Sequence, residues 1–210
     1  MQPLLKYWGR ILLQKFNMKS ICIFCGSNYG IRPEYEHAAV AMGQLLAQSG
    51  IRLIYGGGKV GLMGAVANAA LAAGGQVVGI IPQFLQDKEL AHLGLTELHV
   101  VDSMHSRKAM MNQMSDGFVS MPGGFGTFEE LFEVVSWAQL GMHQKPIGLL
   151  DIADFYQPLL HMVHHASAQG FARAENCGIF LSAAEPQDLL NKMRDYQPRS
   201  VTKWLEQKAI

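Results

Sequence analysis

A chain of 210 residues that is 49% hydrophobic and 16% charged can bury a full core and fits one α/β domain. Lys plus Arg and Asp plus Glu both number 17, so no global field draws the protein to nucleic acid or to an anionic membrane, and any anion must be caught by a local site. Three cysteines are too few, and odd in number, for a disulfide framework, which points to a reducing compartment and to the cytoplasm as its simplest form.

Residues 1–19 read as an N-terminal extension ahead of a domain filling 20–210. Lys6, Arg10 and Lys15 interrupt the apolar groups of this segment, leaving neither the h-region of a signal peptide nor a membrane span. An upstream start, with Met18 as the second methionine, or a loosely docked amphipathic helix accounts for it. A short apolar strand follows at 21–26 and ends in Gly-Ser. Its Cys22 and Cys25 have CxxC spacing, but at a spacing of three strand side chains leave opposite faces. Both are therefore expected in the core, not as a redox pair or half a zinc site. Pro33 opens a helix over 33–49, with Gly50 just past its end. A strand at 52–55 runs into Gly56-Gly57-Gly58 and a helix of small residues over 61–73. Strands are then expected at 76–81 and 98–101, a helix at 104–114, a strand at 118–121 and a long helix at 127–140. A strand at 146–150, a helix at 154–169, a short strand at 179–182 and a helix at 186–194 close the chain.

Near-continuous apolar strands alternating with helices imply a parallel sheet covered on both faces, a Rossmann-like, doubly wound α/β fold in three layers. Such sheets bind ligands beyond the carboxyl ends of their strands, at a topological switch point. The turns Cys25-Gly26-Ser27, Gly56-Gly57-Gly58 and Gly123-Gly124-Phe125-Gly126 all follow strands and converge on that edge. Residues 56–61 match GxGxxG, yet the place about twenty residues on, where a dinucleotide site carries an acid, reads Ile80-Ile81-Pro82. The first loop is thus read as backbone room for a mononucleotide and not as an NAD fingerprint, and no P-loop with a Gly-Lys-Ser/Thr ending is present. In the later loop, consecutive glycines let N–H groups curl into a nest at a helix start, which together make an anion site. A plain capping box, Thr127 with Glu130, explains those two residues but neither the three glycines after Pro122 nor Glu129 beside them.

Pro122-Gly123-Gly124-Phe125-Gly126-Thr127-Phe128-Glu129-Glu130 resembles the PGGxGTxxE signature of the Lonely Guy family, the cytokinin riboside 5'-monophosphate phosphoribohydrolases, and Arg107-Lys108 resembles its second motif. The likeness runs from Ser20 to about Asp195 and takes in Cys25-Gly26-Ser27, Gly61-Leu62-Met63-Gly64 and Trp137-Ala138-Gln139-Leu140-Gly141. It implies a Rossmann-like homodimer that takes a nucleoside 5'-monophosphate, needs no cofactor or metal, and completes its sites across the dimer interface. By the same resemblance Arg107 and Glu130 are catalytic, and Glu89, Lys108 and the stretch 124–130 bind substrate. Gly26, Ser27, Gly57, Gly123, Gly124, Phe125, Gly126, Thr127 and Glu129 complete the loops of the candidate site, with Met104 beside the base. Ser136 stands where related plant sequences carry threonine, Phe125 replaces the usual loop tyrosine, and Asn28 replaces the second serine of Gly-Ser-Ser.

Rupture of a ribosyl C–N bond passes through an oxocarbenium-like state that a nearby carboxylate can stabilise while it orients water; Glu130 is the candidate. A guanidinium stays protonated, so Arg107 is expected to hold phosphate or ribose hydroxyls and to fix Glu130. His161 and His165 have metal-pair spacing on one helix, with His164 between them, but no third ligand accompanies them, and a partly exposed helix is the plainer reading. The long helix around Trp137 and Leu140 suits either a core or an interface. The competing function is a nucleotide or pterin-cofactor carrier, which would need the anion nest but no carboxylate beside an anionic ligand.

Overall fold

The computed structural model describes residues 17–88 and 90–198. The expected extension, up to residue 16, and the candidate Glu89 lie outside the described residues. Seven strands form one sheet: β1 (Ser20–Phe24), β2 (Arg52–Tyr55), β3 (Val77–Pro82), β4 (Glu97–Val101), β5 (Gly117–Ser120), β6 (Ile147–Leu150) and β7 (Phe180–Ala183). Their order is β4-β3-β2-β1-β5-β6-β7, and every pairing is parallel. The winding reverses at β1, whose neighbours are β2 on one side and β5 on the other.

Helices α1 (Pro33–Gln48), α2 (Gly61–Ala72) and α7 (Pro186–Arg194) supply one apolar layer with Ile21, Ile23, Leu53 and Tyr55 of the sheet. Helices α4 (Met104–Gln113), α5 (Phe125–Gln139) and α6 (Gln157–Ala168) cover the other face, against Cys22, Ile54, Ile80 and Phe118. Alternate residues of each central strand thus serve opposite layers, and each fully buried aliphatic or aromatic side chain contributes about 1.5–3 kcal/mol of transfer free energy. Cys22 and Cys25 fall in different layers, as their spacing requires. Met18 also enters the core, and Asp116 Oδ2 accepts the backbone N–H of Lys19 at 2.8 Å and of Ser20 at 3.0 Å, so Met18 and Lys19, placed in the extension by the sequence, are tied to the domain.

Most element boundaries match the sequence reading to within two residues, and β2 and α7 agree at both ends. Four features differ. A short α3 (Gln83–Gln86) follows β3, and Ala174–Gly178 forms a 3-10 turn. Helix α5 starts at Phe125 instead of 127, because Gly124 adopts the extended N-cap conformation. Helix α6 starts at Gln157 instead of 154: Pro158 belongs to its first turn, and before it Ala153 (φ 51°) and Asp154 (φ 60°) are left-handed. Among the described residues no helix is long and apolar enough to cross a membrane.

Candidate active site

Because β1 and β5 are neighbours, their carboxyl-terminal loops leave the sheet side by side. Met121 N–H donates to Phe24 O at 2.9 Å, extending the ladder, and Gly26 N–H donates to Pro122 O at 3.0 Å, tying one loop to the other. Between them opens a cavity of about 370 Å³. Gly26, Ser27, Gly123, Gly124, Phe125, Gly126 and Thr127 line it, and Arg107 and Glu130 reach it from α4 and α5. Phe125 stands 92% exposed at its edge.

Helix α5 has no side-chain cap. Its first intrahelical bond runs from Phe128 N–H to Gly124 O at 3.1 Å, so the N–H groups of 125–127 have no partner within the helix. With the helix dipole they present a cluster of donors of the kind that suits an anion. A Cβ at Gly123 would lie 2.1 Å from Thr127 Oγ1, so only glycine lets the loop fold over the buried threonine. This geometry overturns the capping-box reading. Thr127 is already inside the helix and Glu130 lies in its second turn, too far on to cap it.

Arg107 and Glu130 are 8% and 9% exposed, and Arg107 Nη1 lies 3.3 Å from Glu130 Oε1. Helix α4, capped where Ser103 Oγ accepts Ser106 N–H at 3.1 Å, brings Arg107 over the ends of β2 and β3. Arg107 Nε donates to Ile80 O at 3.1 Å, and a Cβ on Gly56 would come within 1.8 Å of Nη2. The guanidinium occupies the space that Gly56 leaves. Burial pushes the Glu130 carboxyl up from its ordinary 4.5 to about 7; Arg107 opposes that rise and Glu129 adds to it. A carboxyl poised near neutrality suits proton transfer at working pH. Burial, and then Glu130, push the Cys25 thiol above its ordinary range, so it stays protonated.

Among the described residues, the other expected ones do not line this cavity. Lys108 pairs with Glu129 and, at 3.0 Å, with Glu133; these carboxylates hold its ammonium away from the cleft. Met104 touches Arg107, its Sδ 3.8 Å from Nη1, and does not line the cavity. Ser136 is exposed farther along α5 and donates to Phe132 O at 2.7 Å. Gly57 (φ 75°) packs on Ile80 and Ile81, and Gly61 (φ 61°) packs on the backbone of Ser27. At Gly56, Gly57 and Gly61 the GxGxxG loop makes room for protein groups. Sequence reasoning missed Tyr35 and Phe155, whose rings meet edge to face at 6.1 Å in the cavity wall. Phe155 arrives there through the left-handed turn at Ala153 and Asp154, for which no glycine gives a signal. Among the described residues no three His, Cys, Asp or Glu side chains gather as a metal site; His161, His164 and His165 stand at exposed positions of α6.

The profile of the family described as "Possible lysine decarboxylase" matches residues 63–193. The chain is 52% identical to the cytokinin riboside 5'-monophosphate phosphoribohydrolase of Rhodococcoides fascians, over 73% of this chain and 78% of that one. It is 46% identical to a probable cytokinin riboside 5'-monophosphate phosphoribohydrolase of Oryza sativa subsp. japonica, over 84% and 79% respectively. With an Arabidopsis thaliana protein of the same name the identity is 44%, over 89% and 86%. Among solved structures, the molybdenum cofactor carrier protein of Chlamydomonas reinhardtii superposes with a TM-score of 0.63 at 19% identity, covering 84% of this chain and all of that one. The molybdenum cofactor binding protein of Rippkaea orientalis gives 0.62 at 22%, covering 83% and 94%. Likeness at that level shows a shared fold.

Proposed function

We infer the chemistry from kinship, because the chain belongs to the Lonely Guy family of cytokinin riboside 5'-monophosphate phosphoribohydrolases: it hydrolyses the N-glycosidic bond of a nucleoside 5'-monophosphate, AMP or an N6-substituted relative, and releases free base and ribose 5-phosphate. The observation that carries this reading is the buried Glu130 carboxylate beside Arg107, opening into the cavity that the glycine loop closes. The 5'-phosphate binds the free N–H groups at the start of α5. Ionised Glu130 offsets the positive charge that develops at C1' and takes a proton from the attacking water. The water oxygen bonds to C1', the electrons of the C–N bond leave with the base, and the base gains a proton. Arg107 stays charged, holds Glu130 in place and offers its remaining N–H donors to ribose or phosphate oxygens.

Decarboxylation of lysine would require pyridoxal phosphate held as a Schiff base. Among the described residues no lysine lines the cavity, and Lys108 is committed to Glu129 and Glu133, so these residues do not fit that group. A carrier role needs the nest but gains nothing from a carboxylate beside an anionic ligand. The family resemblance extends the proposal to a homodimer, and the sparse, unpaired cysteines extend it to the cytoplasm; no nucleic acid or membrane partner is invoked. A panel of nucleosides and their monophosphates, with chromatography of the released base, tests the reading. AMP or an N6-substituted analogue is cleaved, and adenosine is cleaved at least about 100-fold more slowly, because the remote phosphate supplies binding energy that is expressed at C1'. Equal rates for adenosine and AMP would refute the anchoring role of the glycine loop.

A further inference from the structure

We propose that Tyr156 is a positioning residue for the phosphate loop, its hydroxyl fixing the point where β5 leaves the sheet for Pro122 and Gly123. The proposal rests on the functional reading above for the identity of the loop's ligand. Tyr156 is fully buried, and its hydroxyl lies 2.7 Å from both Met121 O and Ser120 Oγ. A phenol has one proton. It goes to the Met121 carbonyl, which can only accept, so the Ser120 hydroxyl donates to the phenol oxygen. Burial holds this phenol well above its ordinary range, so the donor persists at every working pH.

The bonded carbonyl belongs to the residue immediately before the loop. Gly26 N–H holds the same segment from the β1 side, through Pro122 O, and Tyr156 holds it from the β6 side. Tyr156 is itself fixed: its N–H donates to Asp151 Oδ1 at 2.6 Å, and Gln157 Nε2 donates to Asp151 Oδ2 at 2.5 Å. The chain reaches it through left-handed, non-glycine Ala153 and Asp154, a conformation that persists where surrounding contacts over-determine it. Phenylalanine would fill the same apolar space against Phe155. What the hydroxyl adds is a fixed height for the carbonyl from which the nest hangs, and so convergence of the N–H groups on one anion.

The test is Tyr156→Phe, with the two stable reaction products as calorimetric probes. Ribose 5-phosphate, which carries the phosphate, is expected to bind roughly tenfold more weakly, the worth of one buried hydrogen bond, while adenine binds within about twofold of wild type. In turnover, KM for the monophosphate rises by a similar factor and kcat changes by less than about threefold. Equal weakening of both probes, or unchanged ribose 5-phosphate affinity, overturns the proposal and leaves Tyr156 a packing residue. Should Tyr156→Phe not fold, Ser120→Ala, which removes the donor to the phenol, is expected to weaken ribose 5-phosphate alone by about twofold to threefold. Unchanged affinity there also overturns it. Because both products are stable ligands, a protein that binds them without cleaving any nucleotide would sink the hydrolase reading while leaving this comparison intact.

Discussion

Glutamine at position 130 keeps the length of the side chain and an oxygen for Arg107 but loses the charge. Since α5 begins at Phe125, no cap is lost, so Glu130→Gln tests the carboxylate and not the start of the helix. Turnover is expected to fall roughly 100-fold or more, as losses of a general base do, while AMP still binds, now free of repulsion from a carboxylate. Wild-type turnover in the folded variant would end the proposed mechanism. The raised carboxyl has two further consequences. Activity needs the ionised form and therefore climbs as pH rises through about 7. For stability the sign is opposite. Between 4.5 and about 7 the folded protein holds a proton that the unfolded chain has released, so this contribution is complete below 4.5 and lost as pH rises through about 7. Melting curves across that window should show a decline in wild type that Glu130→Gln lacks. At this scale the sequence was informative: the acid and the guanidinium were legible from two short motifs. Their separation was not, nor was the burial that brings the carboxyl near neutrality, because both depend on how α4 and α5 converge over the sheet.

The loop after β2 shows what a motif leaves open. GxGxxG announces that something approaches the backbone closely, and the occupants at Gly56 and Gly61 are Arg107 and the β1 loop. Gly56→Ala places a methyl 1.8 Å from the resting position of Arg107 Nη2, which must move. Turnover should drop roughly 10- to 100-fold for so small a displacement, with the fold retained by circular dichroism; a variant with unchanged turnover would show that Arg107 does not act from this seat. Strand and helix positions were legible because apolar period and flanking Gly or Pro mark them, as at Pro33 and Gly50. The β6–α6 turn was not. Residues 151–156 carry no glycine, and their left-handed bend is dictated by the side-chain bonds of Asp151 and Tyr156.

The arrangement of the whole sheet makes its switch point the place where the β1 and β5 loops meet, which is why the site gathers residues from 25 to 155. If the protein is a homodimer, light scattering at low micromolar concentration will report twice the chain mass; exposed Leu140 and Met142 just beyond α5 offer apolar surface for such a contact. A stable monomer would remove that part of the proposal. Strand order also has a bearing on synthesis. The run Ser-Ile-Cys-Ile-Phe of β1 can pair with β2 as soon as that strand follows it from the ribosome, but its other edge must wait about a hundred residues for β5. Through that interval a nascent half-sheet presents an unpaired apolar border, open to stray strands and to chaperones alike.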